Sequence, residues 1–196
     1  NSGSGELTVV ATVTVLGIDT TAEFSIGFLT KGTPPPPAYL AGNSGDTAGA
    51  PFNGGVLVLN AGPRAKYRNF KTDVKDEFFE VTHVGFTDNG QEILRVKRLG
   101  RTQLYTGATK IVADMGDGLD FVRVGDDVTV PVEINGGQEK PETVHPNFIS
   151  YFGDSTAYIV GGNGANDIQT GNGNDTIISG VGNDTIQSGG GDDVIS

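Results

Sequence analysis

The sequence predicts an all-β chain in two parts, an N-terminal β-sandwich or barrel over residues 1–150 and a short coiled array of strands over residues 151–196. Three observations carry this prediction. Eight short segments rich in Val, Ile, Thr and Phe are separated by Gly, Pro and Asn, and no window shows a helical period. The last 36 residues repeat every nine, which places Ile168, Ile177, Ile186 and Ile195 on one beat. Charge divides the same way: ten of the 13 Lys and Arg lie between Arg64 and Lys110, whereas Tyr151 onward has six Asp and no basic residue.

The elements follow in order. Glu6 to Leu16 is dense in Val and Thr, with apolar residues on both faces of a strand, so it expects cover on both or presents an adhesive edge. Ala22 to Leu29 roughly alternates. The stretch from Lys31 to Gly55 contains four consecutive prolines and a Gly/Ser/Ala run, and reads as a long exposed loop, either a tolerated insertion or an arm on a neighbouring subunit. "GGVLVLN", "EFFEVTHVGF", "EILRVKRL", "ATKIVADM", "DFVRV" and "DVTVPVEI" are the next strands. Phe78 to Leu99 is the best-marked hairpin, because Asp88-Asn89-Gly90 supplies the positive φ of a tight turn. The stretch "NGGQEKPETVHPN", Asn135 to Asn147, reads as the connector between the two parts.

Composition excludes several classes. With no Cys there is no disulfide and no thiolate chemistry, and the formal charge of −11 argues against nucleic acid and anionic membranes as partners. No run of about 18 apolar residues is present, so membrane insertion is not expected. No signal peptide is visible at Asn1, which is consistent with a processed end or with a fragment of a longer chain.

From Gly161 the chain reads GGNGANDIQ, TGNGNDTII, SGVGNDTIQ and SGGGDDVIS, covering 161–169, 170–178, 179–187 and 188–196 without insertion. Gly at the second and fourth positions permits a tight turn, and one Ile per cycle points inward from a short strand. Four Ile at about 2 kcal/mol each do not offset the ordering of 36 residues at about 1 kcal/mol or more each. A bound cation is the expected remedy.

These cycles resemble the repeats-in-toxin (RTX, hemolysin-type) calcium-binding nonapeptide family. The resemblance implies a parallel β-roll in which two nonapeptides form one coil and Ca2+ lies between turns 18 residues apart. Carried over, Asp175 and Asp193 share one ion with carbonyls of Thr170, Asn172, Gly189 and Gly191, and Asn166 pairs with Asp184 on the opposite side. Asn166 departs from the family's Asp, so its site is expected to bind weakly or not at all. "FGDSTAYIV" is expected to cap the first coil through Phe152 and Tyr158. No cap follows Ile195, which is expected to be covered by further chain or by a partner.

Other chemistry is sparse. His83 and His145 have no partners that suggest zinc, no GxSxG turn marks a nucleophile, and "DMGDGLD" has calcium-loop residue types without EF-hand spacing. Arg64, Lys66, Arg68, Lys71, Arg95, Lys97, Arg98 and Arg101 read as a solvated face able to meet acidic partners or surface glycans. Asp76 to Ile111 is similar to a hairpin of tailed-bacteriophage structural proteins, although "VKRLGRT" departs from that pattern. The expected function is therefore a non-enzymatic, calcium-stabilised extracellular or cell-surface module of a bacterial adhesin, surface layer or fibre, assembled from copies of itself or other structural subunits. The alternative is a virion component such as a capsid decoration, neck or tail protein.

Overall fold

The computed structural model describes residues 39–44, 51–137 and 146–196 in full, and residues 6–15 and 18–27 by their backbone. The chain forms two compact units, Asn1–Pro36 and Pro37–Ser196. In the first, β1 (Glu6–Val15) and β2 (Ile18–Gly27) pair antiparallel, from Glu6 opposite Gly27 to Val15 opposite Ile18. Most of the proline arm and of the 135–147 connector, His145 included, lies outside the described residues.

The second unit holds β3 (Ala41–Asn43), β4 (Gly55–Leu59), a 3-10 helix (Gly62–Arg68), β5 (Phe78–Phe86), β6 (Glu92–Arg98), β7 (Arg101–Thr106), β8 (Ala108–Asp114), β9 (Phe121–Val124) and β10 (Val132–Asn135). It continues with β11 (Asn147–Tyr151), β12 (Ala157–Val160), β13 (Asn166–Gln169), β14 (Thr176–Ile178), β15 (Thr185–Gln187) and β16 (Val194–Ile195). These strands make two seven-stranded sheets, ordered β16-β14-β12-β10-β8-β4-β3 and β15-β13-β11-β9-β5-β6-β7. From β8 onward successive strands alternate between the sheets, and every pairing among them is parallel.

This alternation explains the nine-residue beat. One nonapeptide supplies one strand to one sheet, and the next supplies the facing strand, so equivalent residues meet again after 18. Ile149, Ile168 and Ile186 form one inward row across β11, β13 and β15. Ile134, Ile159, Ile177 and Ile195 form the other across β10, β12, β14 and β16. Apart from Ile195, both rows belong to a core that begins upstream with Leu57, Phe79, Val81, Ile111 and Val122. The repeats therefore continue a stack that begins upstream, and the sheets run through residue 150 without a break.

That continuity alters the energetics expected for the repeats. Ile168 and Ile177 are fully buried because they rest on an upstream core, whereas Ile186 is half-buried and Ile195 is 51% exposed. Apolar support thus falls along the array. It also removes the cap expected at Phe152 and Tyr158: β12 is an ordinary coil strand with Ala157 and Ile159 inward, and its alternation turns Tyr158 outward.

The predicted hairpin forms as β5–β6, with Gly90 at φ +75° and an irregularity between His83 and Gly85. The 3-10 helix, β3, β7, β11 and β12 were not among the predicted elements. Two of the expected surface cations are not on the surface: Arg68 and Arg98 are buried, and both clasp the buried Glu77. Lys97 pairs with Glu80, and Arg101 lies 4.2 Å from the Phe70 ring centre.

Candidate calcium loops

The loops joining the strands stack as closely as the strands do. A Cβ on Gly180 would stand 1.8 Å from the Gly162 carbonyl oxygen, and one on Gly189 would stand 1.9 Å from that of Gly171. Both residues have positive φ, +92° and +76°, so only Gly satisfies turn and contact together. Close stacking lets backbone N–H groups of one loop bond carbonyls of the previous one, as Gly190 does to Gly171 at 2.9 Å and Val181 to Gly162 at 3.1 Å.

Within these loops the side chain at the sixth repeat position reaches back one coil. On one side of the roll the Ala157 N–H donates to Asp175 Oδ1 at 2.7 Å, and the Asp175 N–H to Asp193 Oδ1 at 3.0 Å. Asp175 is buried, and burial pushes its carboxyl above the usual range; the neighbouring Asp193 carboxylate adds to this, while the Ala157 N–H that it accepts opposes it. The Thr170 hydroxyl lies beside it but directs its one hydrogen to the Ser188 carbonyl at 2.8 Å, leaving Asp175 Oδ2 buried without a hydrogen-bond partner. A buried carboxylate oxygen without a protein donor favours a proton or a cation beside it.

The residues on this side fit Ca2+, which takes six to eight hard oxygen ligands in flexible geometry. Among the described residues no three His, Cys, Asp or Glu side chains converge, so backbone carbonyls would supply most ligands. Asp175 and Asp193 would contribute the charge, and the carbonyls of Thr170, Asn172, Gly189 and Gly191 would complete the shell. The Asn172 side-chain amide is engaged elsewhere, donating to Asp154 Oδ1 at 2.8 Å. When bound, the ion neutralises facing carboxylates and ties adjacent coils together.

The opposite side is built differently. The Asn166 N–H donates to Asp184 Oδ1 at 3.0 Å, as the ladder requires, but its side-chain amide nitrogen meets three oxygens. These are the Gly164 carbonyl at 2.8 Å, Asp184 Oδ1 at 2.9 Å and the Ser179 carbonyl at 3.2 Å. A flipped amide would set oxygen against oxygen, so the NH2 group itself fills this cage. Asn166→Asp is therefore expected to cost about 1–3 kcal/mol in chelator through lost donors, with carboxylate repulsion added. With calcium present it should regain that stability and take up one more ion than the wild type, as measured by calorimetric titration.

The ladder continues upstream of the repeats. Asn147 Nδ2 donates to Asn166 Oδ1 at 3.3 Å, the Asp120 N–H to Asn147 Oδ1 at 2.9 Å, and the Glu77 N–H to Asp120 Oδ1 at 2.7 Å. Glu77 then accepts from Arg68 Nη1 at 2.7 Å and from Arg98 Nε and Nη2 at 2.8 and 2.5 Å. Guanidinium groups thus supply the positive charge at this end. The stretch "DMGDGLD", noted for its calcium-loop residue types, ends on Asp120; what its sequence reading missed is that Gly116, Gly118, Asp120 and Val122 keep the G-x-G-x-D-x-apolar spacing of the repeats. His83, weighed for zinc, instead has its Nδ1 within 2.8 Å of Glu92 Oε1.

Residues 160–195 match the family model of the RTX calcium-binding nonapeptide repeat, in four copies. This segment is an array of those repeats, which bind Ca2+ and are typical of secreted bacterial proteins. Searches of curated proteins and of solved structures give no match. The resemblance of residues 76–111 to a tailed-phage hairpin accordingly has no support from them. Among the described residues no helix is long and apolar enough to cross a membrane.

Proposed function

We propose that the chain is a non-enzymatic, calcium-stabilised structural or adhesive module of a secreted or surface-attached bacterial protein, such as an adhesin, a surface layer or a fibre. The observation that supports this reading most is continuity: the calcium-binding repeats share two sheets and one core with the rest of the second unit. Ion occupancy then governs the stiffness of a continuous element. Extracellular calcium modules work at Kd values of about 10⁻⁴ to 10⁻³ M, so such an element is loose inside a cell and rigid outside it. Its partners are copies of itself or other structural subunits.

Fractionation of the source culture in millimolar calcium tests this. The chain is expected in cell-envelope or secreted-fibre fractions, released by chelator. Recovery with nucleic-acid-filled heads would replace the reading by a virion component. Deleting residues 33–53 should convert an oligomer into a monomer if the proline arm makes the contact, read as mass in solution with calcium.

A further inference from the structure

The outer face of the second sheet carries a cleft of about 250 Å³ over β9, β11 and β13, lined by Phe148, Phe152, Arg123, Ser150, Asp167 and Gln169. We infer that this cleft binds a neutral glycan, an inference that rests on the adhesive reading and names its partner. Val122, Ile149 and Ile168 of these strands fill the core, so the alternation turns Phe121, Phe148 and Asp167 together toward solvent.

Phe148 is 41% exposed and ends an aromatic row. Its ring centre lies 6.3 Å from that of Phe121, which stacks on Phe78 at 4.6 Å with 7° between planes. Three adjacent phenyl rings on the solvent side of a sheet mark a recognition surface, since isolated apolar residues need no such explanation. Aromatic faces carry negative charge density and attract weakly positive C–H edges, which one face of a pyranose ring presents.

The polar lining decides the ligand. Arg123 and Asp167 balance in charge, and Ser150 and Gln169 offer neutral donors and acceptors, a set suited to hydroxyls that donate and accept at once. Arg123 is set in place by lying over the Phe152 ring, 5.6 Å from its centre. A sheet-on-sheet contact with a second copy would desolvate Arg123 and Asp167, whereas interface cores are depleted of charge. The net charge of −11 disfavours an acidic polysaccharide.

Native affinity electrophoresis of the full chain in calcium, in gels containing dextran, mannan, xyloglucan or alginate, tests the cleft. Retardation is expected in at least one of the three neutral polymers and not in alginate. Phe148→Ala and Arg123→Gln should each weaken it by about tenfold, and Phe148→Trp should restore it. Both sites are on the outer face, so unchanged circular dichroism will show that the fold is retained. Absence of retardation in all four gels, or retardation that survives both weakening variants, would overturn the glycan site. So would a wild-type dimer abolished by Phe148→Ala without retardation, which would assign the face to a second copy. Envelope retention without retardation overturns the cleft alone, and retardation without envelope retention overturns the surface reading alone.

Discussion

Glu77→Gln is expected to lower stability by about 3–5 kcal/mol, read as a shift of the urea midpoint at saturating calcium. Glu77 carries the only charge that balances Arg68 and Arg98 among the described residues within hydrogen-bonding distance of them, and all three side chains are buried. Burial pushes the Arg68 guanidinium down from its usual range, and Glu77 opposes that. Glutamine keeps the shape but not the charge, and its NH2 group faces guanidinium donors. Removing one partner of a buried pair strands the others, which costs far more than an exposed pair is worth. Lys97→Gln, which breaks the partly exposed pair with Glu80, should change the midpoint by no more than about 1 kcal/mol. Equal effects of the two variants would show that the triad does not support the ladder.

The second large effect is a reversal of sign at Asp175. In chelator, Asp175→Asn should stabilise the chain, because the amide oxygen keeps the bond from the Ala157 N–H while a buried charge disappears. In calcium at about a hundred times Kd, the wild type gains about 2.7 kcal/mol that the variant lacks. Asp193→Asn should lose the calcium response in the same way. The pH dependence follows from the raised Asp175 pKa. Without calcium the folded state holds this proton more tightly than the unfolded one, so its contribution is full below the ordinary carboxylate value and lost as pH rises through the raised value. Calcium uptake, which needs the deprotonated form, should weaken as pH falls through the same range. Comparing urea midpoints of wild type and Asp175→Asn from pH 4 to 7, with and without calcium, isolates this group; a variant less stable in both conditions would refute the cost assigned to the buried Asp175 charge.

The repeats were legible in the sequence because everything that defines them is local and periodic. Gly at fixed positions, Asp or Asn at the sixth and Ile at the eighth dictate turn, ladder and inward strand within nine residues, and a parallel coil only stacks what each cycle already specifies. The antiparallel hairpin at Asp88-Asn89-Gly90 was legible for the same reason. Upstream the ladder steps become irregular: 43 residues separate Glu77 from Asp120, 27 separate Asp120 from Asn147, and 19 separate Asn147 from Asn166, before the step of 18 sets in. Insertions of such different length destroy the period while leaving the stacking intact, so the continuity of the second unit's upstream strands with the roll could not be seen.

What only the tertiary structure decided is which polar groups are buried together. Arg68 and Arg98 sit in a run of surface-like cations, and nothing in that run reveals that both close on Glu77, 9 and 21 residues away. The sequence marked Asn166 as one charge short of the family pattern, but only the structure shows its amide NH2 meeting three converging oxygens, the Gly164 and Ser179 carbonyls and Asp184 Oδ1. Periodicity sets the backbone path of a coil because each turn is a local event. The charge balance inside it depends on contacts between coils, where distance in space and distance along the chain no longer agree.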